Sequence, residues 1–434
     1  MKYIKYFDSV ADMNAALTSS SISVLGMAFD NGEPVIDNHE VTPTPPEPDY
    51  SIQFFVENIT DSNETLYIRS YDFNGEGDYL VITVEYSTDG TSWSTLGTTG
   101  ETALTRTLQP NDKVYLRAST NFWYEEWYDE TTDTGVSRGC TINGVSKVGG
   151  NIMSLLYGSN FTGNERTFPS GTTWNFCGLF YDNEESDDWT NTVLVSASEL
   201  LLPATTLAEA CYTRMFGGCT SLASAPVLPA TTLANLCYVD MFNSCESLTT
   251  APALPATTLA ESCYADMFCG CTSLTTAPAL PATTLAESCY ADMFGGCTAL
   301  TTAPALPATT LAEDCYNSMF YGCTALTTAP TLPATTLAIN CYFSMFIDCT
   351  SLTTAPELPA TTLAGYCYDL MFQGCTNLNY IKCLATNISA EGCTDGWVFN
   401  VAATGTFVKN PSMSSWTTGD NGIPSGWTVE DATE

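Results

Sequence analysis

The apolar positions in the C-terminal half of this chain recur with a single period. The string L-P-A-T-T-L-A-x-x-C-Y-x-x-M-F-x-x-C occurs seven times, starting at Leu202, Leu228, Leu254, Leu280, Leu306, Leu332 and Leu358, 26 residues apart without an insertion. Such self-similarity marks a solenoid, whose units bury their apolar faces only by stacking on their neighbours. Within the first unit Leu207, Cys211, Met215 and Cys219 recur every four residues, with Phe216 alongside. That spacing predicts one stripe of a short helix facing the neighbouring units. Residues 222–227 lead through Pro226 and Pro229 into the next unit, with Leu222 and Leu228 expected inward on an extended edge. Two prolines per unit remove backbone donors, so short, irregular strands are expected there. At a strand spacing of roughly 4.8 Å, seven units predict a rod on the order of 34 Å long.

The flanks read differently. Phe176, Leu179 and Phe180 repeat the spacing of Tyr212, Met215 and Phe216, which predicts a degenerate N-terminal cap over residues 149–201 with an exposed acidic loop. After Leu384 the pattern decays, and Trp397, Trp416 and Trp427 stand among Gly, Thr and Ser. They predict a β-rich C-terminal cap over 384–434, the indoles covering the last unit or, alternatively, forming a carbohydrate platform. Residues 50–148 hold strand-like runs at 52–56, 65–70, 80–86, 114–118 and 140–145, separated by turn clusters such as Asn74-Gly75 and Asp89-Gly90. An immunoglobulin-like β-sandwich fits that pattern best. Residues 41–49 (VTPTPPEPD) are a semi-rigid spacer. Residues 1–40 read as a short helix and a β-hairpin turning at Asn31-Gly32, too small to be stable without oligomerising or docking. The expected fold is therefore multidomain: a small α+β anchor, an Ig-like sandwich, and an α/β leucine-rich-repeat solenoid over 202–383 between its caps.

Charge narrows the partners. With 48 Asp+Glu against 12 Lys+Arg the formal net charge is −36, which disfavours nucleic acid and anionic membranes. The 44% apolar content is too high for a disordered acidic tail. His39 is the single histidine, leaving little from which to build a His-based triad or a zinc site. No cofactor is expected. No run approaches the ~18 apolar residues of a membrane span, so no membrane insertion is expected, and residues 1–30 read as carrying no signal peptide. Fourteen of the 19 cysteines occupy two fixed repeat positions. Reduced cysteines stacked in the core are expected, the alternative being disulfides between units, which parallel side chains at about 5 Å disfavour.

The seven copies, the preceding GGNIMSLLYG at 149–158 and the tail motifs TGTFVKN at 404–410 and GIPSGW at 422–427 closely resemble the BspA-like leucine-rich-repeat proteins of gut Bacteroidales and their phages. The resemblance implies a right-handed solenoid behind Ig-like modules in a surface adhesin or interaction protein without catalytic residues. The chain departs from it in its longer, 26-residue period and in lacking a recognisable export signal. Residues 7–17 with 22–29 and Val35-Ile36-Asp37 look like the virion-anchoring segments that begin fibre proteins of Bacteroides phages, including crAss-like ones. That likeness implies a homotrimer assembled in the host cytoplasm, with Phe7, Met13, Leu17 and Phe29 as candidate particle anchors on capsid or tail proteins.

The functional expectation is a non-enzymatic virion appendage, a head or tail fibre that presents its repeats to a host surface protein or polysaccharide. A bacterial cell-surface adhesin is the alternative, and a glycan-active enzyme comes third. The carboxylates that crowd one loop, Asp182, Glu184, Glu185, Asp187 and Asp188, suit a solvated loop or weak Ca²⁺ contact better than an acid/base pair. Candidate binding residues are the aromatics of 121–130 (NFWYEEWYDE), namely Trp123, Tyr124, Trp127 and Tyr128, and the unit-to-unit variable positions that a helix would turn outward, among them Arg214, Tyr321 and Phe343.

Overall fold

In a computed structural model the described residues are 27–30, 33–36, 48–72, 79–118, 124–129, 134–181, 191–414 and 416–433. The chain divides into two compact units, Met1–Asp49 and Tyr50–Glu434. In the first, β1 (Met27–Asp30) and β2 (Glu33–Ile36) form an antiparallel hairpin in which Phe29 lies opposite Pro34. The helix expected ahead of it, and with it Phe7, Met13 and Leu17, lies outside the described residues.

The second unit begins with two sheets. β3 (Phe55–Glu57), β5 (Thr83–Ser87), β6 (Ser94–Thr98) and β8 (Lys113–Ala118) pair antiparallel in one. β4 (Glu64–Asp72), β7 (Leu104–Leu108), β9 (Tyr124–Asp129) and β10 (Thr134–Asn143) form the other, in the order β7-β4-β10-β9. Alternation explains the packing: in β8, Val114, Leu116 and Ala118 are buried while Lys113, Tyr115 and Arg117 are half-exposed. These residues share one core with Leu66, Ile68, Cys140 and Ile142 of the other sheet. Past Gly144, β11 (Lys147–Asn151) joins β3, the short helix α1 (Met153–Tyr157) follows, and β12 (Ser196–Leu201) pairs parallel to β11. β12 in turn forms parallel bridges to Ser224 and Val227 of the first repeat. The sandwich sheet thus runs directly into the repeats, and Phe54 stacks on Phe180 with ring centroids 6.2 Å apart.

The repeats contain no helix, and the expectation of an α/β solenoid is corrected. The protein is β-rich, with several separate sheets and only α1 as α-helix among the described residues. The reason lies in alternate amides. In the second repeat Cys237, Val239, Met241, Asn243 and Cys245 each donate N–H to the carbonyl three residues back, closing tight turns. Between them Leu236, Tyr238, Asp240, Phe242 and Ser244 donate to Glu261, Cys263, Ala265, Met267 and Cys269 of the next repeat. An α-helix would need every one of these amides for its own i−4 carbonyl. The turn series is completed by left-handed residues at Leu236, Asp240 and Ser244, with φ of 60°, 54° and 58°. Its period is therefore four, and it holds Cys237, Met241 and Cys245 on one inward line at 0% exposure.

Inside the stack the side chains form ladders. Tyr238, Tyr264, Tyr290, Tyr316 and Tyr342 are 5.8 Å apart between ring centroids with interplanar angles of 2–10°. A second, phenylalanine ladder runs from Phe180 through Phe216 to Phe372. Strands pair at ~4.8 Å, so rings at the larger spacing are offset-stacked, the favourable geometry for parallel aromatics. Both ladders end on Trp397, which stacks on Trp416 at 5.7 Å and donates its indole N–H to Gly422 O. The C-terminal cap is a parallel sheet of β13 (Tyr380–Cys383), β14 (Thr406–Lys409) and β15 (Thr428–Asp431). Trp397 and Trp427 are buried, which removes them as a carbohydrate platform.

All 19 cysteines are free thiols. The second cysteine of the repeat donates S–H to the phenylalanine carbonyl of the preceding repeat: Cys245 to Phe216 at 3.2 Å, and Cys271, Cys297, Cys323 and Cys349 to their counterparts at 3.1 Å. Burial pushes these thiols well above their ordinary range, so they stay protonated and able to donate.

Two outcomes follow. Alkylation of the native protein is expected to modify Cys269, the one half-exposed thiol, slowly and the buried eighteen not at all, with all nineteen reacting in denaturant; rapid native labelling of the ladder cysteines would contradict the packing. Trp397→Ala removes the common end of both ladders and is expected to destabilise by about 3–5 kcal/mol, with hydrogen exchange accelerating first in the C-terminal repeats.

Candidate functional site

The turns of successive repeats align into columns, because each repeat's amides reach the next at a fixed offset. The column containing Arg214 continues as Asp240, Asp266, Asp292, Ser318, Ser344 and Leu370, all with positive φ. Asp, Asn and Ser tolerate that conformation because their short polar side chains bond locally, whereas Leu370 pays a steric cost of roughly 1–2 kcal/mol. Residues expected on an outward helix face are therefore turn positions. Two of them, Thr213 and Ser344, are buried, and Thr213 Oγ1 donates to Leu236 O at 2.7 Å.

Arg214 Nε lies 3.0 Å from Asp240 Oδ2, at one end of the row of three aspartates. Between Met215 and Ile381 the sequence has no Lys, Arg or His, so Arg214 is the one cation in the repeats that hold the row. Burial, then the charges of Asp240 and Asp292 on either side, push the Asp266 carboxyl up to about 7, against the opposing influence of Arg214. Asp292 is raised by burial as well. Cys269, beside this row, is pushed up to about 12 by burial and then by Asp266, Asp292 and Asp240, which makes it a poor nucleophile. Among the described residues no group of three His, Cys, Asp or Glu is placed to hold a metal ion, and no helix is long and apolar enough to cross a membrane.

Farther along the same face Tyr321 is exposed, and Phe343 lies half-exposed in the next repeat. Backbone bonds Ser318 N–H to Phe343 O at 2.8 Å and Gly322 N–H to Ile347 O at 2.8 Å bring their two turns together. Arg214 is four repeats away from Tyr321 by register and belongs to the acidic end. The sandwich candidates are separate from both. Tyr124, Trp127 and Tyr128 lie on β9, the terminal strand of its sheet, where register places them opposite Gly139, Val136 and Gly135. Trp123 and the acidic loop at 182–190 lie outside the described residues. Ile339 was not singled out from sequence, yet it is 48% exposed and adjoins Phe343 one turn on. Its signal was present: Glu209, Glu261, Glu287 and Glu313 occupy the same repeat position.

The opposite, extended side of the repeats carries no comparable chemistry. Threonines bridge in parallel there, as in Thr250 to Thr276 and Thr258 to Thr284. An open hollow of about 440 Å³ is lined by Pro278, Ala279, Pro281, Pro304, Ala305 and Pro307. It offers no charged side chain to orient a ligand. Comparison with known protein families, curated proteins and solved structures yields no match.

The Asp266 carboxyl has its folded-state value raised above the ordinary 3.8, so ionising it costs more in the folded than in the unfolded chain. Its contribution to stability is therefore expected to fall as pH rises from about 4 to about 7 and to level off above. Asp266→Asn should raise the melting temperature at pH 8 and leave it unchanged at pH 4; an equal shift at both would contradict the ionisation.

Proposed function

We propose that this protein is a non-enzymatic virion appendage of a phage, a head or tail fibre that docks through residues 1–40 and presents its repeats to a host-surface protein or polysaccharide. The observation supporting this most is the division of labour within the repeat. Inward positions such as Tyr238, Met241, Phe242 and Cys245 are identical from unit to unit and buried, while the turn-face positions change chemistry from unit to unit. A stiff core carrying a varied outer face suits presentation and recognition. The core thiols and phenols of the repeats are held protonated by burial, poor material for nucleophilic work. In this reading the chain is a homotrimer assembled in the host cytoplasm, and the motif likeness to BspA-like and Bacteroides phage fibre proteins favours it. Because residues 1–49 form a unit separate from 50–434, deleting them is expected to leave the melting transition of the repeats unchanged while abolishing incorporation into particles, scored by immunoblot of purified virions. Undiminished incorporation would overturn the anchor, and no full-length protein in the particles would overturn the appendage.

A further inference from the structure

The turn face changes character along the stack. In repeats one to four these turn positions hold acidic, small or modestly apolar residues: exposed Glu261 and Glu287 in one column, half-exposed Asp240, Asp266 and Asp292 in another, Val239, Ala265 and Ala291 in a third, and Gly217, Asn243, Cys269 and Gly295 in a fourth. Large apolar residues enter three of these columns late: Tyr321 in the fifth repeat, and Ile339, Phe343 and Ile347 in the sixth. Ile339, Phe343 and Ile347 are spaced by four, each directly before a left-handed turn residue, Asn340, Ser344 and Asp348. The period of the turn series therefore puts them on one line. Tyr321 adjoins that line from the preceding repeat, through the bond from Gly322 N–H to Ile347 O. Ile339 is 48% and Tyr321 47% exposed, and Phe343 and Ile347 are half-exposed. Two exposed and two half-exposed large side chains in contiguous turns form a patch of the kind that marks an interaction site.

The charged side chains around the patch are all acidic, set among neutral Asn317, Asn340 and Gln373. Glu313 and Asp348 are exposed beside it, and Asp314 and Asp369 are half-exposed. No basic residue occurs between Met215 and Ile381. Lys382 and Lys409, which follow, are engaged with Glu357 and Asp431. A second copy of this chain, with its charge of −36, would bring like charges against that rim. We propose that the patch of Tyr321, Ile339, Phe343 and Ile347 is a docking site for a protein segment that presents apolar anchor residues flanked by Lys or Arg. The anchors desolvate against the isoleucines and rings, and the flanking cations meet the carboxylate rim, the arrangement in which a few central side chains carry most of the affinity.

The repeats themselves supply substitutions that the fold already accommodates: Ile339→Glu, Phe343→Ala and Tyr321→Gly install residues that other repeats hold at those positions. Fluorescence anisotropy on the full-length chain would use a synthetic peptide alternating Leu and Phe with Lys and Arg, a control with Ser for the apolar residues, and another with Glu for the basic ones. The intact protein is expected to bind the first at least tenfold tighter than either control, and the triple variant to lose at least tenfold with its melting temperature unchanged. Ile339→Glu adds negative charge, so purely electrostatic binding would strengthen instead. Equal binding by the variant, or equal binding of the Ser control, would overturn the proposal. So would a change of oligomeric state in the variant by light scattering, which would make the occupant a second copy. Variant-sensitive binding to zwitterionic vesicles would overturn it too, by making the occupant lipid. The substitutions all lie in the repeats, so the assay can succeed even where the virion assignment fails.

Discussion

The structure depends on where every second amide of the turn segment sends its hydrogen. Tyr238 donates to Cys263 and Phe242 to Met267, one repeat ahead, while the amides between them close turns within the repeat. A buried amide must find an acceptor, and an unmet one costs about 1–3 kcal/mol. Neither set of bonds can form alone, because the turns aim the alternate amides outward along the stack and the neighbouring repeat holds the turns in place. The invariant 26-residue period follows from this mutual requirement. One added residue would shift every donor off its acceptor.

Side-chain order is a consequence of that backbone register. Identical residues fall above one another, so tyrosines meet tyrosines and phenylalanines meet phenylalanines at centroid spacings that suit offset rings. The thiols act as more than filler, since from the second repeat on the second-position cysteine gives its hydrogen to a phenylalanine carbonyl that also accepts a turn amide, as Phe216 O does from Cys219 N–H and Cys245 S–H. A disulfide at that position would remove the donor. The open ends of such a stack need covers of different construction, here the sandwich sheet with Phe54 at one end and Trp397 with the three-stranded sheet at the other.

Much of the core was legible in the sequence and the local backbone was not. The positions of Leu207, Cys211, Met215 and Cys219 identify inward residues correctly, and all four are buried. Their spacing misled as to helix. Residues four apart drift about 40° per step around an α-helix, roughly 120° over three steps, so an unvarying interval of four belongs to a turn of period four. Recognising the left-handed residue in each turn was harder, because Ala210, Leu236 and Tyr366 hold it as well as Ser and Asp; tertiary hydrogen bonds impose it against local preference. Of the site candidates, Tyr321 and Phe343 come together and acquire Ile339, whereas Arg214 is bound into the aspartate row. Seven copies made the first kind of inference possible: Ile339 as the single large apolar residue in a column of four Glu, one Asn and one Gly is visible without any structure.

The core ladders hold the repeats together, and sequence varies where the backbone leaves side chains outside them. The ladders, the turn columns and the exposed patch all require a helix-free stack of turns. Far-ultraviolet circular dichroism of the full-length protein tests it most directly, since residues 202–383 make up a large part of the chain. A spectrum of turn and β character without the helical double minimum is expected. A strong helical signal that melts together with the repeats would contradict it.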